Sequence, residues 1–242
     1  MRLRLLIAAT ALSATQPAAA GIVAHYRLGQ GPEQRLMVVE INDRGDGRMD
    51  MGDWGMMLML DGIAYVVDTD SEGTYTARLE DVLSISMEAW DEADGHPRRD
   101  PAAVPVPPPT PAPPQPQVAL MRGGTETVAG HSGTVWRIRN PAAPADGDDE
   151  DFVVSADPGL APLNVILGPR PAASADPGLD PNGYVAAIRA IYRQGAILRR
   201  GRHLRLERVE IRPMPGAFAL PGPTLSREAL ATRRQRTGLR RP

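Results

Sequence analysis

The feature that most constrains this chain is the rapid alternation of short apolar runs with tight-turn residues over positions 22–80. Asn42-Asp43-Arg44-Gly45-Asp46-Gly47 and Asp61-Gly62 carry hairpin chemistry, because the favoured two-residue turn needs positive φ at both central positions. The runs between them are too short for helices. Ile22–Leu28, Leu36–Ile41, Arg48–Gly52, Gly55–Leu60, Ile63–Asp68 and Tyr75–Glu80 are therefore expected to form an antiparallel meander. Leu79, Val82, Leu83, Met87 and Trp90 then recur at helical spacing, which predicts a short amphipathic helix lying over the sheet.

Residues 97–117 interrupt this pattern. Eight of the twelve residues from Pro105 to Pro116 are proline, a composition that lacks backbone donors and favours an extended polyproline II spacer. Strand signals resume at Glu126–Ala129 and Thr134–Arg139, on either side of Gly130-His131-Ser132-Gly133. An acidic loop, Asp146–Asp151, leads into Phe152-Val153-Val154. The hexapeptide Ser155–Leu160 recurs at Ser174–Leu179, and its Asp-Pro pair suits the first turn of a helix. A helix is expected over 181–194, capped by Asp180 and Pro181 and ended by Gly195. Leu204, Leu206, Val209 and Ile211 mark a later strand and Phe218–Pro221 a last short one. The chain then reads as a basic tail over 226–242.

The first 20 residues have the layout of a cleavable export signal: Arg2 and Arg4, an apolar run from Leu5 to Leu12, then Ala18-Ala19-Ala20. Cleavage is expected before Gly21, with a periplasmic destination. No segment approaches the roughly 18 apolar residues of a membrane span. Cysteine is absent, which excludes disulfides, thiol chemistry and a lipidated N-terminal Cys, so the core alone must hold the domain together. All 27 basic residues are arginine, and they are unevenly placed: residues 1–160 carry 12 Arg against 24 Asp and Glu, residues 161–242 carry 15 against 5. The two halves are expected to attract each other, while the tail arginines Arg233, Arg234, Arg236, Arg240 and Arg241 offer a contact for anionic lipid. Nucleic acid is not a sensible partner outside the cytoplasm.

The order of these elements, in the stretches MVVEINDRGDGRMDMG (37–52), LMLDGIAYVV (58–67), ETVAGHSGTVWRIR (126–139) and LRLERVEIRPMPGAFALPGP (204–223), resembles the superfamily of periplasmic lipoprotein carriers (LolA/LolB-like), especially its secreted members. The resemblance covers most of residues 22–225. It implies an α+β fold in which a curved, incompletely closed antiparallel sheet, a half-barrel, wraps a few helices around an apolar cavity. The chain would be one domain over 21–225, interrupted by the Pro-rich segment. Two departures stand out: that segment splits the sheet region, and three Trp, five Tyr and two Phe leave few aromatic residues to line a cavity.

Among candidate sites, the acids Asp43, Asp46, Asp50 and Asp53 fail the calcium-loop spacing, since positions 3 and 5 from Asp43 are Gly45 and Gly47. Gly130-His131-Ser132-Gly133 approaches a nucleophile elbow, but Thr134 stands where the second Gly belongs. Met49, Met51, Met57 and Met59 are the most informative residues. Period-2 spacing puts Met49 with Met51 and Met57 with Met59 on one face of their strands. They suit core packing, a soft cavity for acyl chains, or a Cu(I) thioether site, although no Cys or nearby His assists a metal. No catalytic residue, cofactor or resident metal is expected. The expected function is a non-enzymatic periplasmic binding protein for a lipid moiety or an acylated partner. The alternative is an envelope scaffold that binds another protein and no small molecule.

Overall fold

A computed structural model of the chain describes residues 20–93, 117–139, 150–168, 182–214 and 218–237. Residues 1–19 of the expected export signal, the Pro-rich run, the second copy of the hexapeptide, the expected Asp180-Pro181 cap, and Arg240 and Arg241 lie outside the described residues. The first meander is β1 (Ala20–Leu28), β2 (Arg35–Ile41), β3 (Gly47–Asp50), β4 (Met56–Leu60), β5 (Ile63–Asp70) and β6 (Gly73–Arg78), followed by α1 (Leu79–Ala93). The second is β7 (Ala119–Val128), β8 (His131–Arg139), β9 (Glu150–Ser155), β10 (Ala196–Arg200) and β11 (Leu204–Pro213). Between β9 and β10 come a 3-10 turn, Ala161–Leu163, then α2 (Asn164–Leu167) and α3 (Tyr184–Tyr192). The described chain ends with β12 (Thr224–Leu225) and α4 (Arg227–Thr237).

The twelve strands of the described residues form one sheet, in the order β12-β6-β5-β4-β3-β2-β1-β11-β10-β9-β8-β7. The two meanders meet where the first strand pairs with the last of the second, β1 with β11, from Ala20↔Pro213 to Leu28↔Leu204. Every pairing is antiparallel except β12 with β6, so the sheet is mixed. It is also curved and open. Four strand spacings separate β7 from β11, about 19 Å in a flat sheet, yet Glu126 on β7 lies 3.5 Å from Arg205 on β11. Only a strongly curled sheet brings those side chains together, and among the described residues β7 and β12 are its edges. The architecture is the expected α+β fold with an incompletely closed sheet.

Local chemistry explains the hairpins. Asp61 and Gly62, at φ 49° and 76°, close β4 onto β5, and Ala129 and Gly130, at 51° and 81°, close β7 onto β8, both in the primed-turn geometry that matches strand twist. The Asn42 side chain organises the turn before β3: its Oδ1 accepts from the backbone N–H groups of Arg44 and Asp46 at 3.0 and 2.9 Å.

The main core lies where the two meanders join. Tyr26, Val39, Ile41, Leu198 and Leu206 pack there with Leu163 and Ile166 from the 3-10 turn and α2. Tyr26 is fully buried, and its hydroxyl donates to the Ile197 carbonyl at 2.9 Å, tying β1 to β10 across β11. A second cluster packs Ala187 and Ile191 of α3 against Phe152, Val154 and Ile197. In a third, Leu230 of α4 meets Tyr75 and Ala77 of β6 and Val82 and Ile85 of α1.

Several elements differ from expectation. Residues 218–221 form no strand; Pro221 and Pro223 lack the N–H a ladder needs, and pairing starts instead at Thr224, beside Thr76. Ala196–Leu198, unremarkable in sequence, is a fully buried segment of β10. The expected basic tail contains a docked helix, α4. There Arg233 reaches Asp70 through Nε–Oδ2 at 2.8 Å and Nη2–Oδ1 at 2.6 Å, and its guanidinium lies 4.3 Å over the Tyr75 ring. Hydrogen bonding to Arg233 holds the Asp70 carboxyl below its ordinary range. The charge asymmetry between the halves is used in such pairs: Arg199 with Glu126 and Asp151, Arg212 with Glu40, Arg227 with Glu88, Arg236 with Glu72.

Candidate functional site

Strand register gathers the methionines. Residues directly opposite in neighbouring strands share a face, and one row reads Ala24–Val39–Met49–Met57–Val66–Ala77 across β1 to β6. The adjacent row reads Ile22–Ile41–Gly47–Met59–Ala64. Met49, Met57 and Met59 are therefore neighbours on one face. Met51 lies beyond the end of β3, where its N–H donates to the Gly55 carbonyl at 3.0 Å. Met49, Met51 and Met57 are half-buried against the main core, and Met59 is 6% exposed.

The ends of the first row lie under different covers. Val39 belongs to the cluster under the 3-10 turn and α2, and Ala77 to the cluster under α1 and α4. The Met49–Met57–Val66 segment between them is half-buried. It forms an apolar seam between two helical covers, in which Met49 and Met57 supply unbranched thioether side chains that repack easily.

The other sequence candidates have structural roles, and the expected Gly130–Gly133 turn is shorter, at Ala129-Gly130. His131 is the first residue of β8, and Ser132 follows it on the strand, so their side chains point to opposite faces. Asp46 is a structural acceptor, taking the Asp61 N–H on Oδ1 at 3.0 Å. Among the described residues no group of three or more Asp, Glu or His is placed to hold a metal ion, and no helix is long and apolar enough to cross a membrane.

Sequence reasoning missed an arginine-lined groove of about 400 Å³. Arg27 on β1 stands opposite Arg205 on β11, and Arg205 stands opposite Arg199 on β10. Three like charges in register on adjacent strands repel one another, and acids from β7 and β9 relieve this. Arg199 donates to both oxygens of Glu126 (Nε–Oε1 3.2 Å, Nη2–Oε2 2.8 Å) and both of Asp151 (Nη1–Oδ1 and Nη2–Oδ2, each 2.9 Å). These bonds, Asp151 first, raise its pKa further above an already high value. Arg27 pairs with Glu207 at 2.8 Å. Arg202 projects from the β10–β11 turn, exposed, with no ion pair among the described residues. The only hint in sequence was the density of Arg199, Arg200, Arg202 and Arg205; nothing local placed Arg27 beside them.

Comparison with protein-family models, with characterised proteins and with solved structures finds no match.

Proposed function

We propose that this chain is an exported, non-enzymatic binding protein of the bacterial envelope, related in architecture to the LolA/LolB-like carriers, which holds a lipid moiety or an acylated partner at the Met49–Met57 seam. The observation that supports this reading is that seam: in-register methionines, half-buried, between two helical covers of one open sheet. A flexible apolar strip that other chains can enter suits an acyl chain better than it suits a polar substrate. The export layout of residues 1–20 and the absence of cysteine fit a periplasmic protein that depends on its core.

Native mass spectrometry of protein purified gently from its host tests the reading, with N-terminal sequencing in parallel. Copurified lipid, lost in Met57→Asp, and a first residue at or within two of Gly21 are expected. Because a charge at that half-buried position also lowers stability, folding of the variant is checked by circular dichroism. Met57→Leu, which conserves volume, should cost less than about 1.5 kcal/mol and keep the lipid. Failure of folded wild type to bind a fluorescent fatty acid saturably would refute the lipid reading and favour an envelope scaffold.

A further inference from the structure

We propose that the groove at the Arg27–Arg205–Arg199 ladder binds a phosphate ester, with Arg202 and Arg205 as its principal donors. The inference is independent of the lipid seam and starts from charge. Four guanidiniums, those of Arg27, Arg199, Arg202 and Arg205, face three carboxylates, those of Glu126, Asp151 and Glu207. Among the described residues one positive charge remains unmatched.

The unmatched charge has a location. Arg199 is spent on structure: its three nitrogens all donate to Glu126 or Asp151, and Nη1 also donates to the Gly201 carbonyl at 3.1 Å. This bonding anchors the floor of the groove and consumes both carboxylates. Arg205 is left with the edge of an already engaged Glu126, at 3.5 Å, beyond good hydrogen-bond length. Arg202 has no counter-ion among the described residues. Gln30 and Gln34, exposed at the same groove, add neutral amide donors.

Planar, fully charged guanidiniums match the paired oxygens of a phosphate bidentately, which makes such a cluster selective for oxyanions over halides. A space of about 400 Å³ is in the range of small-molecule sites, so it accommodates an esterified phosphate with a polar substituent as well as the ion itself. A soluble phosphate ester and the headgroup of an anionic phospholipid present the same chemistry.

Isothermal titration of the full mature chain with glycerol 3-phosphate and with inorganic phosphate reads the soluble source. Cosedimentation with phosphatidylglycerol vesicles, against phosphatidylcholine vesicles, reads the lipid source. Saturable binding in at least one arm is expected, weakened at least about tenfold in Arg202→Gln and in Arg205→Gln, and weakened by added salt. Arg44→Gln, an exposed arginine in the turn before β3, should bind as wild type does. Arg202→Gln removes no ion pair among the described residues, so its melting temperature should not change and its binding loss reads the site directly. Binding in neither arm, or binding equal in wild type and Arg202→Gln, overturns the proposal.

Discussion

Replacing Leu230 with Ala measures how firmly the C-terminal helix belongs to the fold. Leu230 has no exposed surface and packs with Tyr75, Ala77 and Leu225. The change deletes three carbons, about 2.4 kcal/mol at about 0.8 kcal/mol per methylene, and a cavity term adds to this where neighbours cannot collapse. The neighbours here are held: Thr76 N–H donates to the Pro223 carbonyl at 2.9 Å, and β12 is paired to β6. A total of about 3 kcal/mol is therefore expected, within the usual range of about 2–5 kcal/mol. For a chain of this size that lowers the melting temperature by about 6–12 °C. Urea unfolding followed by circular dichroism reads the global value, and Gln235→Ala, at an exposed position of the same helix, should stay within about 0.5 kcal/mol of wild type. If α4 undocks locally before the sheet unfolds, the loss appears instead as faster tryptic cleavage at Arg233, Arg234 and Arg236. A Leu230→Ala protein with both an unchanged urea midpoint and unchanged cleavage would refute the docking of α4.

Four further outcomes follow from the structure. Tyr26→Phe leaves the Ile197 carbonyl without its 2.9 Å donor in a fully buried setting and should cost about 1–3 kcal/mol in urea unfolding; a neutral variant would contradict the β1–β10 tie. Gly195→Ala places a methyl 1.9 Å from the Ser155 carbonyl oxygen, at φ 146°, and should give little soluble folded protein on expression. Desolvation first, then Arg208, depresses the pKa of His25 from its ordinary 6.5, so the unfolded chain takes up a proton that the folded one resists. Stability from this group is complete above pH 6.5 and falls as pH drops toward the folded-state pKa; His25→Gln should remove that part of the slope in melting temperature between pH 8 and 5.5. A chain cut at a protease site engineered into residues 97–116 should still run as one species in gel filtration, because the β1–β11 ladder joins the halves; separate halves would contradict the single sheet.

The first meander was legible in the sequence because its determinants are local. Asp61-Gly62 closes β4 onto β5, Asn42 organises its own turn, and short apolar runs lie between such punctuation. The alternation in Met49, Met57 and Met59 likewise placed these residues on strand faces. The strand after Gly195 was not legible: Ala196-Ile197-Leu198 is as compatible with a buried helix end as with a strand, and only its partners β9 and β11 decide.

What the sequence by itself determined is the hairpins of the first meander, the β7–β8 hairpin and the helices at Leu79 and Tyr184, since turn propensity and hydrophobic period act over a few residues. Tertiary structure alone decided the rest. It set the meeting of β1 with β11, the seam between two helical covers, the docking of α4 through Leu230 and Arg233, and the facing arginines Arg27, Arg205 and Arg199. Arg27 and Arg205 are distant in sequence and adjacent only through β-sheet register, a property of paired strands that neither strand carries alone.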